Sequence, residues 1–419
     1  MVRLNGNRSK TDDGAFSFHT LERATNIQKS QVIHRKALAG STGIDVRLCA
    51  TVVDLNFDAN GLVKSVEIVR SDASQRRRLR VHNLVITGGG LESTRLLLAA
   101  QRDAPSRFGG ADGPLGRHYM GHVIGDIAKI VFSNAALGAA FDYFVDSYGS
   151  YVRRRFVPSQ STQLREKILN SAMFPIVPPV ADVRHGSAIL SLVYLALAYR
   201  PLGHLIVAEP IIKRHVPPEP IDLAGHLLNV VKGLPSAIAY SSDFLWRRYM
   251  TRSRLPGFFI RSNNLRYGLA YHSEQTPRPD SRVTLSGELD RTGLAKIRVD
   301  LRFHEIDAWS VVRTHELLSD WLMRTGFGRL EWNVPADQRI SAVLAQAAHG
   351  THQIGTIRMG ANRNEGVVDR NLRTFDSANL FVVSTAVLPT SGQANPTLTA
   401  IALAMRLAHT WSVSGLPRG

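Results

Sequence analysis

The chain has 419 residues, 44% of them hydrophobic and 20% charged, with a formal net charge of +17. That length points to two lobes, and that balance to an ordinary globular protein rather than a disordered or fibrous one. A single cysteine, Cys49, excludes an intrachain disulfide and a cysteine-built metal or iron–sulfur site. The first residues carry no apolar core of signal-peptide type, so the expected setting is reducing and cytoplasmic.

No run reaches the roughly 18 apolar residues of a membrane span. The best candidate, "AILSLVYLALAYRPLGHLIVA", is interrupted by Arg200, Pro201 and His204 and reads as a buried helix followed by a turn. The basic clusters, Arg76 to Arg80 and Arg153 to Arg155, are short and come with no nucleic-acid motif. The positive charge therefore reads as a solvated surface, with no nucleic-acid partner; an anionic lipid surface is the other class of partner such a charge suits.

Residues 1–30 look irregular and polar. From Ile44 the texture is β: "IDVRLCATVVDLNF", the turn "DANG", then "LVKSVEIVR", a hairpin by its alternation and turn residues. The arginines at 76–80 fall where two strands should be joined. "LVITGGGLESTRLLLAAQ" is a strand, three glycines and a helix, and in α/β folds ligands bind at such strand ends. Between about 121 and 340 the chain is mixed and partly helical. "SRVTLSGELDRTGLAKIRVDLRF" reads as two strands around a turn. "EIDAWSVVRTHELLSDWLMRTG" reads as an amphipathic helix with Ile306, Trp309, Val312, Leu317 and Trp321 near one face. The last eighty or so residues return to α/β texture, with the short strand "NLFVVS" and a helix in which Asn395 suits the cap and Pro396 the first turn. The expected division is 1–120, 121–340 and 341–419, the outer two forming one domain.

The chemistry-bearing stretch is "HGTHQIGTIRMG", His349 to Gly360. Its two histidines have zinc-ligand spacing, but the glycines make a poor helix and the HExxH glutamate is absent, so a metal is not expected. No G-x-S-x-G elbow and no complete G-x-G-x-x-G is present, which argues against a serine hydrolase and against a full dinucleotide-binding unit within these residues. What remains is His352, a natural acceptor of a hydroxyl proton near neutral pH, and Asn395 at a helix start that favours negative charge. The plain alternative is a core histidine and a helix cap.

"HQIGTIRMG" followed by "GVVDRNLRTFDSANLFVVSTAVLPTSGQANPTLTAIALAMRLA" resembles the glucose–methanol–choline (GMC) family of FAD-dependent oxidoreductases. "LVITGGGLESTRLLLAA", "LGRHYMGHV" and "EQTPRPDSRVTLSGELDRTGLAKIRVDL" are similar to family segments too, so the resemblance runs from about Ile44 to the end and is weakest between about 131 and 265. It implies an α/β fold in which an incomplete Rossmann-like FAD-binding domain is joined to an α+β substrate domain of antiparallel sheet and helices. It also implies a small-molecule alcohol or sugar substrate. His352 then matches the base that takes the hydroxyl proton, and Asn395 its partner that orients the oxygen. His349 matches no catalytic position and is structural. Val52, Gly88 and Gly89 match backbone positions close to FAD. Ser384 and Thr385 match the strand end by the ribityl and pyrophosphate, with Ser-Thr in place of the family's usual pair. Pro396 and Thr397 begin a helix implied to face the flavin pyrimidine ring. The family's opening G-x-G-x-x-G segment has no counterpart here. The expectation is therefore a truncated or split chain, partnered by an N-terminal FAD-binding fragment or an electron-acceptor subunit. The competing expectation is a non-catalytic remnant or partner-binding subunit.

Overall fold

The computed structural model describes residues 14–23, 30–206, 212, 216, 222–251, 253–257, 259–347 and 352–415. In chain order the elements are β1 (Phe16–Arg23), α1 (Ser30–Gly40), β2 (Ala50–Phe57), β3 (Val63–Arg70), β4 (Arg76–Arg80), β5 (Leu84–Ile86), α2 (Gly89–Asp103), β6 (Val123–Phe132), α3 (Ala135–Ala139), β7 (Phe144–Val145), β8 (Tyr151–Pro158), α4 (Gln160–Glu166), β9 (Ser171–Pro175) and α5 (Ala188–Ala198). There follow α6 (Arg200–Ile206), α7 (Leu223–Leu245), β10 (Arg266–Ser273), β11 (Arg282–Leu289), β12 (Ala295–Asp300), α8 (Glu305–Thr325), β13 (Gly328–Trp332), α9 (Arg339–Gln346), β14 (Leu380–Val382) and α10 (Thr397–Ser414).

The chain folds as two compact units. One takes the described parts of 1–35, 125–271 and 309–343. Its sheet runs β1-β8-β9-β10-β6-β13, with β7 on β8, and its β1–β8, β8–β9 and β6–β13 pairs are antiparallel. Fully buried aromatic rings fill it: Phe156 lies 4.7 Å from Phe141 and 6.1 Å from Trp321, centroid to centroid. This is the α+β lobe.

The other unit takes 36–124, 272–308 and 344–419. The segment 272–308, which sequence texture alone groups with the middle region, lies here because its backbone is sewn to 116–121. Tyr119 N–H donates to Ser281 O, Val283 N–H to Gly116 O, and Gly121 N–H to the Gln275 side chain. The core of this unit is α/β. β5 and β14 pair in parallel, Leu84 with Leu380 and Ile86 with Val382, and α2 follows β5 directly. Leu97 of α2, Val382 and Ile357 are fully buried together, and α10 closes the cluster with Leu407 and the Trp411 ring, which meets Phe381 edge-on at 5.0 Å. The β2–β3 hairpin turns at Asp58–Gly61. There Asp58 Oδ1 accepts from Asn60 and Leu62 N–H, and Gly61 supplies a positive φ of 80°.

Several sequence expectations shift. Phe16–Arg23, in the stretch read as irregular, is a strand that pairs with β8 across a bulge. The arginines at 76–80 do not join two strands; they are strand β4, an edge strand on β3, where protruding charge discourages further pairing. The hairpin begins at Ala50, and Ile44, Val46 and Leu48 before it are exposed. After α5 the chain forms the short helix α6, and Leu192, Val193 and Leu205 face outward, so this segment is only half buried. In α8 the expected Val312 and Trp321 are buried, together with Val311, His315, Leu318 and Leu322, while Leu317 is half-buried and Ile306 and Trp309 near the start of the helix are exposed. Asp307 turns inward there, accepting from Thr276 and from His304 N–H.

Three histidines, His122 and His315 fully buried and His118 half-buried, give the fold a pH dependence of definite sign. Burial pushes His118, His122 and His315 down to about 4 each. His315 Nδ1–H donates to the Val311 carbonyl at 2.8 Å and the ring lies against Tyr271 and Trp332, leaving no water to solvate a charge. The unfolded chain binds these protons near the ordinary value of about 6.5, the folded chain only near 4, so their contribution is complete above about 6.5 and is lost as pH falls toward 4. Thermal unfolding across that window should show a steadily falling melting temperature. His315→Leu should remove about 1.4 kcal/mol per pH unit from the slope. A melting temperature indifferent to pH across the window contradicts this account.

Candidate active site

The site grows from one antiparallel bridge. Met120 and Ile354 exchange both backbone bonds, at 2.9 and 3.0 Å. Across such a bridge the residue two positions after one partner faces the residue two positions before the other. That makes His122 and His352 opposite neighbours, and their rings do meet, edge to face, with centroids 4.7 Å apart. Gly355 permits the approach. It holds φ +92°, and a Cβ there would lie 2.2 Å from the His118 carbonyl.

His122 is fully buried, and its Nδ1 lies 3.0 Å from the Gly392 carbonyl. A carbonyl only accepts, so Nδ1 carries the proton and Nε2 is a bare lone pair. That Nε2 is buried with no hydrogen-bond partner, and so is Nδ1 of His352. His272 stacks on the other side of His122 at 6.1 Å. Desolvation holds His352 below the ordinary imidazole value, and holds His122 at about 4 with a further push from its neighbours His352 and His272. Both rings are therefore neutral at pH 7. Each of the two touching rings thus has a buried nitrogen without a hydrogen-bond partner, and neutral imidazoles are suited to exchanging a proton with a hydroxyl group.

Gln353 locks the stretch that carries His352. Its Oε1 accepts from Leu91 N–H in the first turn of α2 at 3.2 Å, its carbonyl accepts from Thr385 Oγ1 at 2.6 Å, and its Cβ lies where Gly90 has no side chain. Thr94 donates to the Gly90 carbonyl and receives the Thr356 hydroxyl, both at 2.7 Å. Ile357 and Met359 N–H then run along Ala386 and Val387. His352 thus stands between the start of α2 and the turn after β14.

The structure brings most of the expected cofactor residues to that same edge. Gly88 and Gly89 follow β5 and are exposed, with open space over Gly89. Ser384 and Thr385 follow β14 on the neighbouring parallel strand, and Ser384 Oγ accepts from Ala386 N–H at 3.2 Å. Val52 lies apart, opposite Ile68 in β2, packed on the core. Thr397 opens α10 and is exposed, while Pro396 is buried. The cap position falls on Pro396, with helical φ and ψ and no side-chain cap bond, one residue past the expected Asn395. Asn395 is exposed and lies three residues beyond Gly392, so the His122 bond anchors the segment that carries it. His349 lies outside the described residues. Among the described residues no group of three or more His, Cys, Asp or Glu could hold a metal ion.

Sequence reasoning missed His122, His272, Gln353 and Gly90. "LGRHYMGHV" contains His122, but only the register across Met120 and Ile354 shows what it meets. Ser93, in the first turns of α2, is a further residue that no motif singles out. Its Oγ is buried behind Gly88 with no hydrogen-bond partner.

The Gln353 lock is testable at Gly90. A Cβ there would fall 2.4 Å from Gln353 Cβ and 2.6 Å from its carbonyl oxygen, so one of the two segments must move. Gly90→Ala should destabilise by about 1–3 kcal/mol, the usual cost of overpacking, although alanine favours helix. Denaturant unfolding that shows the variant equal to or more stable than the parent would refute the lock.

With this geometry in place, the comparisons with known proteins take on meaning. Residues 277–404 match the family described as GMC oxidoreductase. The 2-methyl-1,2-propanediol dehydrogenase of Mycolicibacterium austroafricanum is 23% identical over 373 residues, 87% of this chain and 53% of that protein. The fructose dehydrogenase large subunit of Gluconobacter japonicus is 29% identical over 136 residues, 32% of this chain and 23% of that protein. A pyridoxine 4-oxidase structure from Mesorbium loti aligns at a TM-score of 0.46 and 17% identity, over 87% of this chain and 57% of the other. The chain spans about half the length of the first of these curated relatives. That segment, which holds Ile354 of the bridge, Gln353 and the turn after β14, belongs to the GMC oxidoreductase family.

Proposed function

We propose that this chain supplies the proton-handling side of an FAD-dependent oxidoreductase that acts on a CH–OH group of an alcohol or sugar. The observation that carries the reading is the contact between the fully buried His122 ring and the half-buried His352 ring on the stretch clamped by Gln353, each with a nitrogen that lacks a hydrogen-bond partner. The residues present also fit part of a flavin dinucleotide. Gly88 and Gly89 leave backbone open at the start of α2, the buried Ser93 Oγ lacks a partner behind them, and Ser384 and Thr385 flank them. Val52, Pro396 and Thr397 would complete the protein's contact with FAD on this chain.

A bound flavin supplies the hydride acceptor. The chain's own residues handle the proton and the position of the oxygen. His352 accepts the hydroxyl proton, and its burial keeps it unprotonated at neutral pH. His122, tied through Nδ1 to Gly392, packs edge to face with the His352 ring and holds it in place. Asn395 orients the substrate oxygen. The wall of histidine rings limits water around the reacting hydroxyl, which strengthens each hydrogen bond made there. One relative is named as the large subunit of an assembly, which supports a separate electron-acceptor subunit here.

The test is anaerobic mixing of the flavin-loaded protein with primary alcohols, diols and sugars, followed by the loss of the flavin's visible absorbance. At least one class should bleach the flavin, and His352→Ala should slow bleaching about 10²–10⁴-fold while FAD binding, measured by fluorescence titration, stays intact. The bleaching rate should rise with pH to a plateau by neutrality. Its acid limb should lie below the ordinary histidine value of about 6.5, since only neutral His352 can take the proton. No bleaching by any substrate class removes the activity. Unchanged kinetics in His352→Ala removes His352 as the base.

A further inference from the structure

The apolar residues of the helical region 188–250 are not all used inside the fold. In α7 the buried face carries His226 and Ala237, and Gly233 approaches Ala188 of α5 so closely that a Cβ would lie 2.8 Å from the Ala188 Cβ. A second set, Leu227, Val231, Leu234, Ile238 and Leu245, recurs at intervals of three, four and seven residues and therefore shares one stripe beside the buried one. Every member of that stripe is exposed, Val231 to 74%. Lys232 and Asp243, the only charged side chains of α7 apart from the histidine, are eleven residues apart and fall together on the far flank. Beyond Leu245 the helix continues as Trp246–Met250, with Trp246 62% exposed and Tyr249 beside it. Leu192 of α5 and Leu205 of α6 are further exposed apolar residues of the same helical region.

A stripe of this kind suits one occupant best. Its end holds an exposed tryptophan and tyrosine with two half-buried arginines, Arg247, which pairs with Asp243, and Arg248, which donates to the Leu255 and Pro256 carbonyls; aromatic rings beside basic side chains are the combination that settles at a lipid headgroup level. From 188 to 261 the sequence has nine Lys or Arg against four Asp or Glu, which matches the net charge of +17 over the whole chain and complements an anionic surface. The amphipathic helix is uncharged along its apolar flank, and no described helix is long and apolar enough to cross a bilayer. We propose that α7 and its Trp246–Met250 continuation lie in the headgroup region of an anionic bilayer, with the Leu227–Leu245 stripe turned into the lipid. The inference stands on this unit alone and is independent of the oxidoreductase reading.

The purified chain is to be sedimented with vesicles of phosphatidylcholine alone and of phosphatidylcholine mixed with phosphatidylglycerol. Binding to the anionic vesicles, weaker binding to the neutral ones and release by salt are expected, with a blue shift of emission that Trp246→Phe diminishes. Leu234→Asp combined with Ile238→Asp should abolish sedimentation, and Lys232→Gln should weaken it about five-fold. Both aspartates replace exposed residues, and circular dichroism checks the fold. Should the double variant fail to fold, lipid composition, salt and the Trp246 signal decide. No binding to either vesicle overturns the proposal, as does equal binding by the folded double variant. A concentration-dependent dimer that the double variant dissolves, without vesicle binding, assigns the stripe to a second copy and also overturns it.

Discussion

Gln353 is the fixed point of the candidate site. A single side chain and its own carbonyl tie the start of α2 to the turn after β14, and the missing Cβ at Gly90 lets them close. A hydrogen bond of this kind contributes only about 1 kcal/mol net, but leaving a buried partner unmade costs more. The lock therefore acts as a constraint rather than as a large stabiliser. It sets the depth at which His352 emerges, because His352 is the next residue in the chain. The parallel pair β5–β14 sets the direction, because both strands end at this edge.

Placement and electrostatics follow from the same geometry. The Met120–Ile354 bridge fixes the register, and the register puts His122 against His352. Once the rings touch inside the protein, charge on either is disfavoured by burial, and on His122 by its neighbours as well. The Gly392 carbonyl then decides which nitrogen of His122 keeps its proton. A group that must take a proton in one step and release it later benefits from being neutral at rest and only weakly basic. Nothing in that chain of causes requires a metal or a carboxylate.

The elements were legible where local chemistry dictates them. Asp58–Gly61 specifies its own turn, Thr87 and the glycines announce a strand end, and the "HQIGTIRMG" text located His352 through family likeness. The failures share a physical cause. β1 is a strand because β8 is there to pair with it, and Arg76–Arg80 is a strand because β3 offers an edge. Ile306 and Trp309 fit the helical period of α8 with the buried Val312 and Trp321, yet they are exposed, and in the first turn the buried residue is Asp307, held by Thr276 and His304. His122 stands 230 positions before His352, and no local pattern encodes a register across that separation.

The same limit explains why α5 reads as buried from sequence although Leu192 and Val193 face outward. Apolar periodicity reports which side chains avoid water, not what they meet instead. In α10 the apolar residues Leu407 and Trp411 meet the core of their own unit, and the pattern is satisfied within the fold. In α7 the face with His226, Gly233 and Ala237 is turned inward, Gly233 against α5, while the larger apolar side chains Leu227, Val231, Leu234, Ile238 and Leu245 stay exposed. Burial of a second stripe inside a unit this size would need another helix laid across it. The charge asymmetry of the surrounding segment, with arginines gathered at the aromatic end, gives that stripe an orientation that a buried helix would not require. An apolar face bounded by Trp246, Tyr249 and basic side chains is organised for a boundary between two media.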